Sequence, residues 1–449
     1  MAEKIRIQLP DRVNFILSRL RQHGHEAYAV GGCVRDIALG LDPKDWDITT
    51  SAKPEEVKVL FRRTIDTGIA HGTVTVMLGE EGFEVTTYRI DGKYEDARHP
   101  KEVTFTPNLS EDLKRRDFTI NAMAYSPEDG LVDLFGGLED LQKKEIRCVG
   151  NPEERFSEDA LRMFRALRFA AQLGFHIEAN TFSSIQKLST LIERVSKERI
   201  ATELIKLITS DHPEVMREVY RSKLCDSFLP EFSRMMETPQ NNPHHCYSVG
   251  EHTIVAMKRI CPTKVLRLAM LLHDVAKPVC RTTDFKGIDH FKGHPVLGEK
   301  MAKEILRRLR LDKDTIQKVC KLVRIHDERP PINQKAIRRA ICRHGLDAYP
   351  YLFAVKRADM LAQSDYDKQK KLSLIDGNER IYYEILHHKE CVQLKDLKIT
   401  GSDLIREGME PGPKIGKALQ ALLQVVLEHP EYNEKVYLLK IWKEWEDEL

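Results

Sequence analysis

The sequence predicts an α+β chain, with an α/β head at the N-terminus and helices through the remainder. Three observations predict it. From residue 27 to about 149, runs rich in β-branched residues alternate with short helical patterns. From Pro152 the spacing of apolar residues becomes helical and stays so almost to the end. Finally, 449 residues exceed what one hydrophobic core can serve, so roughly three or four domains are expected.

The first strand candidate is Tyr28-Ala-Val30. Gly31-Gly32 stops it abruptly, which predicts a sharp turn into a helix beginning near Val34. Glycines let a backbone come close to a bulky anion, and helix-terminal N–H groups then face it. Asp45-Trp-Asp-Ile48 follows. On a strand, residues two apart share a face, so both carboxylates would project together while Trp46 and Ile48 turn to the core. Asp-x-Asp alone is commonly a solvated strand or turn. Behind Gly31-Gly-x-x-Arg35 it reads instead as a Mg²⁺ site beside a phosphate cradle. Further strands are expected at Thr73-Val-Thr-Val-Met77 and Phe83-Glu-Val-Thr-Thr-Tyr88. The second carries Glu84, a candidate third carboxylate, although a strand glutamate is also commonly solvated. Residues 91–112 are polar, charged and rich in turn formers, and read as a long mobile loop.

Ser157-Glu-Asp159 is expected to open a helix running from Ala160 to Ala171. Asp159, Arg162, Arg165 and Arg168 recur every three residues and would sweep one half of the cylinder. Ala160, Met163, Phe164, Leu167, Ala170 and Ala171 would fill the other half as a core face. One reading is a solvated helix with an ion pair worth tenths of a kcal/mol. The other is base selection. A carboxylate only accepts and a guanidinium only donates, and cytosine and adenine each offer an exocyclic amine beside a bare ring nitrogen. Uracil and guanine present the opposite pattern, so an Asp–Arg pair would admit C and A and reject U and G without a template.

Taken in order, Gly31-Gly32-x-x-Arg35, Asp45-x-Asp47, Thr67-Gly-Ile-Ala-His-Gly-Thr73, Arg115-Arg-Asp-Phe-Thr-Ile-Asn-Ala122 and Glu158-Asp-x-x-Arg162 resemble the successive motifs of class II CCA-adding enzymes. These are tRNA nucleotidyltransferases of the DNA polymerase beta superfamily, and the resemblance covers roughly residues 27–175. It implies a nucleotidyltransferase head at 22–149, a helical neck that selects nucleotides and binds RNA at 150–216, and a helical tRNA-binding tail at 370–449. It further implies that Asp45 and Asp47 bind Mg²⁺, that Gly32 and Arg35 contact the nucleotide, and that Arg116 holds the triphosphate. Asp159 and Arg162 would read the base, Arg165 and Arg168 would complete the pocket, and CTP, ATP and tRNA would be the partners. CC-only relatives lack a flexible loop where this chain has Asp91-Gly-Lys-Tyr-Glu-Asp-Ala-Arg-His-Pro100, which argues for more than CC addition. An A-only enzyme would keep the loop.

A second constellation follows. His252, His273-Asp274 and Asp359 stand in the order of HD-domain phosphohydrolases, and His294 and His326 add imidazoles where dinuclear members carry them. This marks 240–365 as an HD domain. Adjacent helical residues diverge by about 100°, so His273 and Asp274 can share a ligand site only at a junction of helices. Such a donor set suits Mn²⁺, Fe²⁺, Ni²⁺ or Zn²⁺, and the implied activity is hydrolysis of 2′,3′-cyclic or 2′-phosphates on RNA ends. A degenerate, structural HD module is the alternative. His244, His245 and His290 are expected to be loop histidines.

The gross composition excludes little. Hydrophobic content of 41% with 31% charged residues is that of a soluble protein, and no apolar stretch reaches membrane-spanning length or forms a secretory signal. Nine cysteines without a Cys-x-x-Cys suggest reduced thiols in the cytoplasm. A net charge of +2 says nothing about partners, but residues 300–345 hold 14 Lys/Arg against 5 Asp/Glu, either a solvated face or a phosphate-backbone path. Ile399-Thr-Gly-Ser-Asp-Leu404 through Gly412-Pro-Lys-Ile-Gly416 resembles the tail motif of bacterial CCA-adding enzymes, its glycines serving RNA phosphates or turns. Two rival readings share the nucleotidyl chemistry. A poly(A) polymerase would carry a distinctive basic segment in place of Thr67–Thr73. A regulatory uridylyltransferase would lack the Arg115–Ala122 motif and need sensing domains for which little chain remains.

Overall fold

The computed structural model describes residues 7–92 and 103–446. The chain forms two compact units, Met1–Ser233 and Arg234–Leu449. Most of the candidate loop at Asp91–Pro100 lies outside the described residues.

The first unit is built on a seven-stranded sheet. Its strands are β1 (Ala27–Val30), β2 (Asp47–Thr50), β3 (Thr64–Gly68), β4 (Thr73–Leu78) and β5 (Glu81–Thr87). A separate two-stranded ribbon, β6 (Arg89–Asp91) with β7 (Val103–Phe105), comes next in the chain, and β8 (Met123–Ser126) and β9 (Gly130–Asp133) complete the main sheet. The order is β3-β4-β5-β2-β1-β8-β9, antiparallel throughout except for β2 and β5. That parallel pair is the consequential one, because its register sets Asp47 opposite Glu84.

Alternation decides which side chains enter the core. Phe83 and Val85 of β5 are buried while Glu84 between them faces the other side, and Val74 and Val76 of β4 do the same. Helix Asp11–Gln22 lies against β1 through Val13, Ile16, Leu17 and Leu20, spaced one helical turn apart. The expected loop at 91–112 needs correction at its C-terminal half. Val103–Phe105 is a strand and Leu109–Lys114 a helix, capped by the Asn108 side chain accepting from the Ser110 N–H. Helices follow from Pro152, and Leu161–Leu173 packs against Lys197–Ile208 and ends at Gly174 in the left-handed conformation.

The second unit is helical apart from the two-residue pair Thr282–Thr283 and Asp289–His290. Helix Lys264–Leu272 is buried on nearly every side from Leu266 onward, as its continuous apolar sequence requires. Around it stand Val249–Lys258, Lys313–Ile325 and Tyr349–Leu361, with His294–Arg308 packed on Lys313–Ile325. All nine cysteines are free thiols. No described helix is long and apolar enough to cross a membrane.

Candidate functional site

Gly31 ends β1 with φ of +81°, and its N–H donates to the Met123 carbonyl at 3.1 Å. A Cβ there would stand 2.9 Å from Nη1 of Arg116, so the position needs glycine for both backbone and space. Gly32 has ordinary room and opens helix Gly32–Ala38. Of the pair it is therefore Gly31 that shapes the turn. Arg116 lies 3.5 Å from the buried Asp112, and its Nε is buried without a hydrogen-bond partner. Its charge also acts on Asp47, the first residue of β2.

Asp47 and Glu84 face each other in register on β2 and β5. Burial, and then Asp47 and Asp45 in that order, raise the Glu84 carboxyl above its usual range. Asp47 is raised chiefly by burial, with Arg116 opposing and Asp45 adding to the rise. Asp47 is nonetheless exposed at the start of β2 rather than in the core. Three neighbouring acids, two of them with raised proton affinity, and one guanidinium nearby fit a hard divalent cation with oxygen ligands. The geometry differs from expectation in one respect. Asp45 lies in a bend before β2 instead of on it, and Trp46 is only half-buried, whereas Ile48 is in the core. Pairing begins at Asp47, so the shared-face rule does not apply to Asp45.

The helix expected from Ala160 to Ala171 is present, but Asp159 is not on it. Helix Pro152–Glu158 ends at Asp159, whose backbone is extended, and a new helix starts at Leu161. The break has a local cause: Asp159 Oδ1 accepts from the Leu161 N–H at 3.0 Å, and Oδ2 accepts from Arg199 at 2.8 Å. Asp159 and Arg162 thus sit on either side of a helix start. Arg162 is buried, donating to Glu158 Oε2 at 2.7 Å and to the carbonyls of Arg155 and Arg115. The predicted solvated half-cylinder is absent, while Met163, Phe164 and Leu167 are in the core as expected.

Arg165 and Arg168 follow on the same helix. Arg165 donates twice to Asp117 Oδ2, at 2.9 and 2.6 Å, and Arg168 bonds the buried Glu203 at 2.6 Å. Arg35 donates to Asn121 Oδ1 at 2.7 Å, and Asn121 in turn donates to Asp117 at 3.2 Å. The Phe169 ring carries Arg35, Arg165 and Arg168 at 5.2, 5.5 and 3.7 Å from its centroid. Burial works against the Asp117 charge, but Arg165, through charge and hydrogen bonds, holds the carboxyl far below its usual range. One polar network therefore runs from the Gly31 turn through Asn121 and Asp117 to Arg165. Asp117, Asn121, Phe169 and Glu203 were not singled out from sequence. The first two stand four apart inside the Arg115–Ala122 motif, a spacing that places them on one side of a turn and was available as a signal.

In the second unit all six predicted residues converge. His252 Nε2 lies 3.0 Å from Asp359 and 3.9 Å from Asp274, and His273 Nε2 lies 3.2 Å from Asp274. His294 and His326 approach the other Asp274 oxygen at 3.4 and 3.7 Å. His273 is the C-cap of helix Lys264–Leu272, so the junction its neighbourhood with Asp274 required is present. The Nδ1 atoms of His273, His294 and His326 rest on the carbonyls of Met270, Phe291 and Val323 at 2.7–2.8 Å. That turns each Nε2 inward, the arrangement metal-binding imidazoles use. The two described groups of donor atoms that could hold a metal ion, His252–His273–Asp274 and Asp274–His294–His326, share Asp274. The donor chemistry fits one or two transition-metal ions. Burial opposes the Asp274 charge, yet His273 and Lys277 keep the carboxyl well below its usual range. His245 lies in a loop as expected, and its ring stands edge-on to His252 at 5.1 Å, beside the cluster. Lys277, 2.7 Å from Asp274, was missed.

The "Poly A polymerase head domain" model matches residues 27–147, the "RNA and SrmB- binding site of polymerase A" model 174–236, and the "tRNA nucleotidyltransferase domain 2" model 295–441. A CCA-adding enzyme of Lacticaseibacillus paracasei is 35% identical over 436 residues, covering 95% of this chain and 94% of the relative. One from Lactobacillus helveticus is 48% identical over 233 residues, 52% of this chain and 58% of the relative. Among solved structures, the Bacillus stearothermophilus CCA-adding enzyme in complex with CTP superposes with a TM-score of 0.76 at 27% identity, over 99% of this chain and 100% of that one.

Proposed function

The chain belongs to the CCA-adding enzymes, which are nucleotidyltransferases, and on that premise we propose that it builds the 3′-terminal CCA of tRNA in the cytoplasm from CTP and ATP without a template. The observation that carries this reading is the grouping of Asp45, Asp47 and Glu84, with Arg116 beside it at the Gly31 turn. CTP in the Bacillus stearothermophilus relative supports that substrate. Residues 22–149 serve as head, 150–216 as neck, 240–365 as HD domain and 370–449 as tail.

In the reaction the tRNA 3′-hydroxyl attacks the α-phosphorus in line, forming one P–O bond as the bond to pyrophosphate breaks. Asp45 and Asp47 would hold Mg²⁺, which when bound would supply Lewis-acid chemistry to the hydroxyl and charge neutralisation to the leaving phosphates. Arg116 holds the triphosphate, and Gly32 and Arg35 hold the nucleotide, with Gly31 leaving the space that Arg116 needs. Asp159 and Arg162 read the base edge. Their bonds to Arg199, to Glu158 and to the Arg115 carbonyl fix both groups beforehand, so little ordering is lost when the base arrives. Arg165 completes the pocket, and Arg168, tied to Glu203, supports it through Phe169.

The convergence of His252, His273, Asp274, His294, His326 and Asp359 favours a second activity, hydrolysis of 2′,3′-cyclic or 2′-phosphates on RNA ends. Mn²⁺, Ni²⁺ or Fe²⁺ bound there would activate the attacking water. In that step water oxygen bonds phosphorus, the ester P–O bond breaks and the alcohol leaves protonated. Lys277 sits where it can meet a phosphate oxygen.

Asp47→Ala tests the main reading. It should abolish nucleotide addition and leave tRNA binding within about twofold, as expected for a group that acts on the reacting phosphate. Normal addition by this variant would remove it.

A further inference from the structure

Beside the histidine–aspartate cluster lies a cavity of about 650 Å³, walled by Tyr349, Leu352 and Phe353 and sharing His326 and Asp359 with the cluster. A volume of this size suits a mononucleotide. Its wall holds one anomaly. Asn378 is 94% buried, being 6% exposed, and its Oδ1 has no hydrogen-bond partner. The amide cannot simply be turned over, because Nδ2 donates to the Pro330 carbonyl at 3.0 Å and fixes the orientation. An orphaned buried acceptor costs stability unless something donates to it. Two ammonium groups stand on the same wall. Lys356 donates to the Glu328 backbone carbonyl and Lys371 to Gln363 Oε1 and His244 Nδ1, so among the described hydrogen bonds neither is spent on a carboxylate, although Asp359 acts on both from nearby.

We propose that this cavity is a nucleotide chamber serving the adjoining cluster, and that it takes a nucleoside phosphate whose base bears an exocyclic amine. The amine of adenine or cytosine donates to Asn378 Oδ1, the base lies among the apolar walls, and Lys356 and Lys371 face the phosphate. Uracil and hypoxanthine, which present a carbonyl at that edge, are disfavoured. Adenine and cytosine are the two bases with which a CCA end terminates. The inference rests on the hydrolase reading of the cluster, and its test is arranged so that the two fail separately.

The full chain, in EDTA, is photolabelled with 8-azidoadenosine 2′-monophosphate and the adducts are mapped by mass spectrometry. Adducts within residues 349–378 are expected, competed by adenosine 2′-monophosphate about tenfold better than by inosine 2′-monophosphate. Asn378→Leu should erase that preference. Lys356→Met should instead erase the advantage of adenosine 2′-monophosphate over adenosine, and it carries the test if the first variant does not fold. Labelling confined to the head, or a preference unchanged in Asn378→Leu, overturns the chamber. Because no metal is present, labelling as expected upholds the chamber even if no metal restores hydrolysis, a result that would remove the hydrolase reading alone.

Discussion

Asp47 and Glu84 are register partners on two parallel strands, so two carboxylates leave the sheet side by side and the Asp47 charge raises the proton affinity of Glu84. Parallel pairing is confined to this one position in the seven-stranded sheet. It creates a site that is unfavourable by itself and favourable once a cation shares it. Function and stability therefore pull in opposite directions at these residues.

Asp47→Asn should make the metal-free protein more stable at neutral pH while abolishing addition. The folded-state pKa of Asp47 is raised. The folded chain thus binds the proton more tightly than the unfolded one, and stability is lost as pH rises through that range. Thermal melts in EDTA at pH 4.5 and pH 7.5 check this: the gain should appear mainly at pH 7.5, and Mg²⁺ should raise the melting temperature of the wild type only. A variant that melts lower at both values contradicts it.

Arg162→Ala should loosen nucleotide choice, letting UTP and GTP in, with the ratio of CTP to UTP incorporation falling by at least about tenfold. Glu158→Gln should have a smaller effect of the same kind, because Glu158 holds the Arg162 guanidinium at 2.7 Å without facing the base. An unchanged ratio in a folded, active Arg162→Ala would return this side chain to a packing role.

Asp117→Asn should cost roughly 3 kcal/mol of stability at neutral pH by leaving Arg165 without its buried counter-charge. The Asp117 carboxyl is depressed in the folded state, so its contribution is fully present above the unfolded pKa of about 4 and is lost as pH falls toward the folded value. Urea unfolding of both proteins at pH 7, 5 and 3 should show the gap constant between 7 and 5 and narrowing at 3.

Asp274→Asn should eliminate metal-dependent hydrolysis of 2′,3′-cyclic nucleotides and spare CCA addition, while Asp47→Ala should do the reverse. Assays with Mg²⁺, Mn²⁺ and Ni²⁺ separate the two, since imidazole-rich donors favour the latter ions. Wild-type protein inert toward cyclic, 2′- and 3′-phosphates with every ion would leave the cluster a scaffold.

Local signals in the sequence were strong where one element carries them. The strand at 27–30, the Gly31 turn and the alternation in β4 and β5 follow from composition and spacing over a few residues. The helix start after Asp159 was legible, but the preceding helix Pro152–Glu158 was not, and the periodicity argument placed Asp159 on the arginine face although its side chain instead bonds the Leu161 N–H. Val103–Phe105 is too short to show a period. Contacts made across the fold left no local trace: Arg165 meets Asp117 48 positions away, and Arg168 meets Glu203 35 away. The histidine cluster was legible despite wider separations, because its ligands keep a recognisable order. His245 and Lys277 were not, since nothing nearby in sequence distinguishes them from loop or surface residues.

The central claim is the sequence added to tRNA. Purified protein is incubated with tRNA ending at its discriminator base, with CTP, ATP or both, and the product 3′ ends are sequenced. The account predicts CC with CTP alone, CCA with both, arrest there, and no CCA with ATP alone. Unbounded adenosine tails, or addition only of A and only to tRNA already ending in CC, would contradict it.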